Sequence, residues 1–224
     1  MDVARRPRSF VRVDGPDARE YLQRMVSNDV EALQVGDSCP ALLLTAKARL
    51  IAPLVVWRRG EEDYLLLTEP ELGETVRAQL ARMRLRARCE IEPEEHESLL
   101  LFDGPQDGFA TDFPGAREAL DTGLSPTMSE DELELRRVAA GVPRWGRELD
   151  DRVLPAEAGL DRTHISFSKG CYPGQEPVAR LHYRGHVNRM LQVVELDDET
   201  TVERVTSSAR RPDGSVVALA YVRT

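Results

Sequence analysis

Apolar residues near the start of the chain recur with the periods of a strand and then of a helix. The stretch SFVRVD alternates apolar and polar residues, which is typical of a strand with one buried face. The next stretch, DAREYLQRMV, spaces its apolar residues three and four positions apart, which predicts an amphipathic helix. The residues expected on its buried face are Ala18, Tyr21, Leu22, Met25 and Val26.

Continuous apolar runs predict a hairpin further along the chain. ALLL and LIAPLVVW are long enough for strands, and Thr45–Arg49 between them has the length of a turn. From His186 onward the pattern is that of strands only, and Asp213 with Gly214 predicts a turn between the last two. We therefore expect a mixed α+β body followed by a short β tail.

Two pairs of residues have the spacing of a helix capping box. Thr68 with Glu71 and Ser129 with Glu132 each place an acidic side chain three residues after a hydroxyl, which predicts a helix beginning at each pair. Residues 103–128 are instead rich in Gly, Pro and Asp. We expect loops there, around a short helix at Ala116–Leu120.

The composition is that of a soluble globular protein and narrows the classes of partner. The 224 residues are 41% hydrophobic and 31% charged, with a net charge of −9, which argues against a general nucleic-acid or anionic-membrane binder. Cys39, Cys89 and Cys171 are far apart and form no CxxC pair, so we expect reduced thiols and no metal site within the chain. The start of the chain has charges but no apolar run, and a cytoplasmic location is expected.

The segment SFSKGCYPGQEPVARLHYRG, residues 166–185, concentrates the chemistry of the chain. Its glycines and proline are compatible with a simple tight turn, and that interpretation stays open. Cys171 lies two residues from Lys169, whose ammonium would favour the thiolate if the two side chains were close. Gln175 and Glu176 offer an amide and a carboxylate to a ligand. From Lys169 to Arg189 the sequence has four cationic side chains and one carboxylate, a local positive charge that suits a ligand with an anionic tail.

This segment closely resembles the K-G-C-Y-x-G-Q-E signature of YgfZ-type folate-binding proteins, relatives of the glycine-cleavage aminomethyltransferase. AREYLQRMVSNDVEAL, LLLTAKARLIAPLVVW and RVAAGVPRWGRELDDRVLPAEAGLD are similar to other parts of that family. The resemblance implies an α+β aminomethyltransferase-like folate-binding region over residues 1–185, with two subdomains that divide near residue 95. Residues 186–224 would form a shortened C-terminal β segment, a partial barrel.

The resemblance also implies a function: a tetrahydrofolate-binding accessory protein for iron–sulfur cluster assembly or repair, acting as a monomer on client enzymes or assembly proteins. The folate would lie in a central channel between the subdomains. Glu176 or Glu157 could accept hydrogen bonds from the pterin, and Tyr172 or Trp145 could stack on an aromatic ring. Cys171 is the candidate reactive residue. The other candidate binding residues are Asn28, Lys169, Gly170, Gly174, Gln175 and Arg180.

One departure from the family bears on the reaction. Aminomethyltransferases carry an adjacent acidic pair in the strand that here reads ARLIAPLVV, and this chain has Ala52 and Pro53 at that place. Neither residue can act as a general base, which argues against glycine-cleavage chemistry. Ala48 replaces a glycine usual in the preceding turn, and only about eight residues separate Leu196 from Val205, which predicts an incomplete barrel.

Two other functional classes remain as alternatives. A folate-dependent one-carbon transferase or demethylase would need Cys171 or Glu176 to replace the missing acidic pair. A scaffold that has lost folate and only binds partners is the third class, and the shortened tail raises that alternative.

Overall fold

A computed structural model describes residues 1–104, 108–196 and 205–224 and shows an α+β protein, as expected. The segment between Leu196 and Val205, which the sequence analysis considered too short for a complete barrel, lies outside the described residues. The helices are α1 (Ala18–Met25), α2 (Gly73–Met83), α3 (Glu130–Ala139) and α4 (Gln175–Arg184). The strands are β1 (Asp2–Arg5), β2 (Ser9–Asp14), β3 (Ser38–Leu44), β4 (Leu50–Arg58), β5 (Asp63–Thr68), β6 (Glu90–Glu94), β7 (Ser98–Phe102), β8 (Phe109–Ala110), β9 (Ala116–Leu120), β10 (Arg189–Leu196), β11 (Val205–Arg210) and β12 (Val216–Arg223).

The strands form three antiparallel sheets. The first has five strands in the order β3-β4-β5-β2-β6, and the second has four in the order β1-β7-β9-β8. The third is an open sheet of three strands in the order β10-β12-β11. The chain begins in the second sheet with β1, enters the first sheet at β2 and returns to the second between β6 and β7. The predicted subdomain division near residue 95 stays a prediction. Within the described residues, no helix is long and apolar enough to cross a membrane.

The predicted first helix is confirmed. Its buried residues and those of α2 pack on one face of the five-stranded sheet and form the largest hydrophobic core. Tyr21 and Leu22 of α1 are buried there, together with Val76 and Leu80 of α2. The Tyr21 hydroxyl donates a hydrogen bond of 2.6 Å to the Leu80 carbonyl oxygen, so the two helices are joined directly.

The predicted helix at Ala116–Leu120 is wrong, because these residues form β9. Ala, Arg, Glu and Leu are good helix formers, but pairing with β7 along its length overrides that local preference. Glu118 also gains a buried ion pair with Arg8, whose Nε lies 3.0 Å from the carboxylate. Burial opposes ionisation of Glu118, but Arg8 and Arg6 hold its pKa below the ordinary value. Arg8 lies directly before β2 of the five-stranded sheet, and Glu118 lies on β9 of the four-stranded sheet, so this ion pair links the two sheets.

Of the two predicted capping boxes, one forms. The Ser129 hydroxyl accepts a hydrogen bond from the Glu132 amide, and the Glu132 carboxylate accepts one from the Ser129 amide, at the start of α3. The pair Thr68 and Glu71 forms no such box. The Thr68 hydroxyl donates instead to the Pro53 carbonyl oxygen at 2.8 Å, and a short 3-10 turn precedes α2. The helix predicted there exists, but it begins at Gly73.

The predicted hairpin of β3 and β4 is confirmed, with its turn at Thr45–Arg49. Within the turn, Ala48 has φ of +59° and is buried. A side chain other than hydrogen is disfavoured in this left-handed region, and the chain therefore carries backbone strain at Ala48.

We expect Ala48→Gly to stabilise the fold by about 0.5–1 kcal/mol, because relief of the left-handed strain exceeds the added flexibility of the unfolded chain. Thermal or urea unfolding of the purified variant measures this change. Ala46→Gly is the matched control: Ala46 lies in the same turn without a positive φ, and its substitution should destabilise or have no effect. A lower stability for Ala48→Gly than for Ala46→Gly would contradict the prediction.

Candidate functional site

The signature segment forms a loop followed by the first residues of α4, a helix that the sequence analysis did not predict. Gly174 precedes α4 with φ of +87°, and a Cβ on it would lie 2.6 Å from the Thr45 carbonyl oxygen. The glycine is therefore needed both for its backbone angle and for close contact with the β3–β4 turn. Pro177 in the first turn and the spacing of Val178 and Leu181 are the signals in the sequence that favour a helix here.

Lys169 connects the signature loop to the end of α1. Its side chain is buried, and Nζ donates to the backbone carbonyl oxygens of Gln23, Val26 (2.7 Å) and Asn28 (3.1 Å). These carbonyl groups lie at and beyond the C-terminal end of α1, where helix carbonyls lack partners within the helix and favour a positive charge. Burial lowers the pKa of the ammonium to about 8, so it remains largely protonated at neutral pH. Lys169 thus fixes one end of the signature loop.

This geometry differs from the hypothesis that Lys169 polarises Cys171. The three hydrogens of the ammonium are directed to carbonyl groups inside the protein, whereas Cys171 is exposed to solvent. The Lys169 ammonium acts instead on the thiol of Cys39. Burial raises the pKa of Cys39 to about 12, and the nearby ammonium opposes that rise. Cys171 is therefore the exposed thiol of the chain, since Cys39 is half-buried and Cys89 is buried.

Asn28 and Glu157, predicted as ligand-binding residues, make internal contacts. The Asn28 amide donates to the carbonyl oxygens of Pro40 (2.6 Å) and Thr163 (3.1 Å). The Glu157 carboxylate pairs with Arg189 at 2.9 Å and also accepts a hydrogen bond from the Leu154 amide. Both side chains hold loops around the signature.

The remaining signature residues lie at the surface or in the core. Tyr172 is buried, with the Lys169 ammonium 5.2 Å from its ring centroid. Glu176 is exposed and pairs with the exposed Arg180 at 3.3 Å, one turn further along α4. Gly170 is exposed and Gln175 is half-buried. The structure does not bring the predicted binding residues together in one cavity, and their roles toward a ligand stay predictions.

A cavity of about 460 Å³ lies between the two larger sheets and α3. Its wall includes the connection from β1 to β2, the residues that follow β5, one face of α3 and the segment 142–147. Trp145 lines the cavity and also packs against two of the hydrophobic cores, and these contacts fix the position of the indole. Of the residues predicted from the sequence, Trp145 is the one that lines this cavity.

Two glutamates that the sequence analysis did not single out also line the cavity. Glu69 follows β5 and is half-buried, and Glu71 is exposed two residues later. Burial raises the pKa of the Glu69 carboxyl, although Arg8 and Arg6 oppose the rise. A half-buried acid with a raised pKa in a cavity is typical of functional sites. The signal in the sequence was weak, because Glu69 belongs to the acidic stretch TEPELGE, a composition typical of a solvent-exposed segment.

A second cavity, of about 430 Å³, lies beside α4 and has a mostly apolar wall. Arg180 and Arg184 stand at its rim, and the Phe167 ring stacks on His182 with the ring centroids 3.9 Å apart. Among the described residues, no group of three or more His, Cys, Asp or Glu side chains is placed to hold a metal ion.

Ala52 and Pro53 lie within β4 and are buried. Ala52 belongs to the core that α1 and α2 cover, and it pairs with Leu43 of β3. No acidic side chain is available at this place, as the sequence indicated.

Comparisons with known proteins agree with the predicted resemblance. Residues 8–107 match the family described as the GCVT N-terminal domain. The chain is 24% identical to the "Iron-sulfur cluster assembly factor IBA57 homolog, mitochondrial" of Neurospora crassa, over 82% of this chain and 51% of that protein. It is 27% identical to the "tRNA-modifying protein YgfZ" of Klebsiella pneumoniae, over 80% of this chain and 66% of that protein. The chain thus spans about half of the Neurospora relative and two thirds of the Klebsiella one.

The fold is also that of a solved structure. The glycine cleavage system aminomethyltransferase T from Bartonella henselae superimposes with a TM-score of 0.74 at 19% identity, covering 96% of this chain and 76% of that one. The resemblance to YgfZ-type proteins and the aminomethyltransferase-like fold are therefore confirmed.

We expect Lys169→Met to destabilise the fold by about 3 kcal/mol, because three backbone carbonyl groups would lose a charged donor, and two of these contacts are buried. Urea unfolding measures the change. Lys47→Met is the control, since Lys47, the other lysine, is exposed in the β3–β4 turn and its loss should have little effect. Equal unfolding midpoints for the two variants would show that the carbonyl contacts contribute nothing to stability.

Proposed function

We propose that this chain is a tetrahydrofolate-binding accessory protein that supports iron–sulfur cluster assembly or repair in client proteins. The names of its relatives support the iron–sulfur context, and the aminomethyltransferase-like fold supports folate as the ligand class. The observation that carries the proposal is the cavity that contains Trp145.

The cavity has the size and the chemical groups that a reduced folate requires. Its volume of about 460 Å³ falls in the range of roughly 300–1,000 Å³ typical of small-molecule sites. The Trp145 indole offers an aromatic surface for the pterin or the benzoyl ring. Arg144 and Arg147 stand on the same wall and could meet the carboxylates of the glutamyl tail. A bound reduced folate would supply a carrier of one-carbon units.

An accessory role fits this chain better than aminomethyl transfer. At the place of the acidic pair, Ala52 and Pro53 offer neither a base nor a partner for an amine. Turnover of a methylated amine with tetrahydrofolate would instead favour the one-carbon enzyme. Absence of folate binding would favour the scaffold.

The exposed part of the signature is suited to contact with a protein partner. Cys171 faces solvent on a loop that Lys169 fixes at one end and Gly174 at the other. The folate cavity lies elsewhere, and Cys171 does not line it. We propose that the two surfaces carry separate tasks, ligand binding in the cavity and partner contact at the signature.

Replacement of Trp145 by leucine should weaken tetrahydrofolate binding by about tenfold or more, because stacking on the indole is lost while apolar volume is kept. Isothermal titration calorimetry measures the dissociation constants, and melting curves check the fold. Tyr183→Leu is the control: Tyr183 is 68% exposed on α4 and lies outside the cavity. Undiminished affinity in Trp145→Leu would remove this cavity from the proposal.

Cys171→Ser should leave tetrahydrofolate affinity unchanged but lower the support that the protein gives to iron–sulfur maturation. The reason is that the thiol is on the partner-facing loop rather than in the cavity. Complementation of a strain that lacks an equivalent accessory protein, read out by the activity of an iron–sulfur enzyme, measures the second effect. Full complementation by Cys171→Ser would show that the thiol is dispensable, and Cys39→Ser serves as the comparison.

A further inference from the structure

Glu69 occupies a place in the cavity that no structural contact accounts for. It directly follows β5, and its backbone carbonyl oxygen accepts a hydrogen bond of 3.0 Å from the Leu72 amide in the short turn before α2. This hydrogen bond fixes the backbone of Glu69 just before the N-terminus of α2. The half-buried side chain stands on the wall that Trp145 also lines.

Within the described residues, the Glu69 carboxylate has neither an ion pair nor a hydrogen-bond donor. Arg6 and Arg8 are the cations that act electrostatically on Glu69, and both form ion pairs with other acids. Arg8 contacts Glu118 at 3.0 Å, and Arg6 contacts Asp112 at 2.7 Å.

Two other acids of this region that are not exposed are paired. Glu134 of α3 pairs with Arg137 at 2.8 Å, and the buried Glu148 pairs with the same arginine at 2.9 Å. A half-buried carboxylate has lost part of its hydration, and a ligand that supplies donors would restore that stabilisation. Glu71 and Glu130 also line the cavity, but both are exposed. Among the described residues, Glu69 is therefore the half-buried acid of the cavity with free capacity to accept hydrogen bonds.

We propose that Glu69 binds the edge of a ligand that presents two adjacent N–H donors, as the 2-amino group and the neighbouring ring N–H of a pterin do. This inference rests on the proposed function and assigns the carboxylate that selects the ligand. Two parallel N–H donors match the two oxygens of a carboxylate, and such bidentate contacts to an ionised acid are strong and directional.

The position also shows where this chain, which lacks the acidic pair of β4, offers a carboxylate to a ligand. Ala52 lies on β4 and Glu69 follows the neighbouring strand β5, so the carboxylate comes from the next strand of the same sheet. Glu71 is exposed and has no such burial, so its carboxylate keeps its water and gains less from a ligand.

The test compares Glu69→Gln with Glu71→Gln, each titrated with tetrahydrofolate and with its analogue that carries a methyl group in place of the 2-amino group. Glutamine keeps the size of Glu69 but places an N–H₂ group against the ligand donors. We expect Glu69→Gln to raise the dissociation constant for tetrahydrofolate about tenfold or more, with little change in Glu71→Gln. The analogue should bind wild type about tenfold more weakly than tetrahydrofolate, yet lose less than about threefold in Glu69→Gln.

The outcomes separate this inference from the function on which it rests. Equal affinity of wild type and Glu69→Gln for tetrahydrofolate would overturn the role of Glu69 and leave folate binding intact. An equal loss of affinity for both ligands in Glu69→Gln would also overturn it, since the effect would not pass through the 2-amino group. Wild type that binds neither ligand would overturn the proposed function itself, and the inference with it.

Discussion

The buried ammonium of Lys169 is the interaction on which the arrangement of the signature depends. One side chain gathers carbonyl groups from the end of α1 and from the turn that follows, residues that lie more than 140 positions away in the chain. A cation is suited to this task because it has three donors, no acceptor and a charge that the helix end favours. The contacts place the first signature residue inside the protein, whereas the next two residues, Gly170 and Cys171, are exposed.

Much of the signature therefore serves the fold. Gly174 fits against the β3–β4 turn, and Tyr172 fills the core between that turn and α4. Glu157 and Arg189 join the segment before the signature to the first strand of the C-terminal sheet, where the guanidinium also lies 4.5 Å from the Tyr221 ring centroid. An unusual sequence motif thus combines structural residues with a small exposed part, and the exposed part is what remains for recognition.

The sequence predicted the elements whose signals lie in neighbouring residues of the chain. The apolar spacing of α1, the runs of β3 and β4 and the capping box of α3 each depend on local side chains, and all three are present. The prediction failed at Ala116–Leu120, where pairing with β7 outweighs good helix formers. It also failed at Thr68, whose hydroxyl binds the neighbouring strand instead of a helix start. Long-range contacts decided both cases, and local propensity does not contain them.

The candidate site was harder to predict than the fold. The resemblance pointed to the signature, but burial and hydrogen bonding show which of its residues are already committed to the interior, and a sequence does not display that. Glu69 had no motif, and its environment comes from three separate parts of the chain. Trp145 was predicted, from the resemblance, as a residue that could stack on the ligand, but its contacts with two cores were not predictable from the sequence.

The different environments of the three cysteines have a practical consequence for spectroscopy. Cys39 and Cys89 have thiols whose pKa values are raised by burial, whereas Cys171 is open to solvent. A maleimide or nitroxide reagent at neutral pH would therefore attach selectively to Cys171, without removal of the other two cysteines. The label would sit between two anchored points of the backbone, so changes in its mobility would report on what approaches the signature.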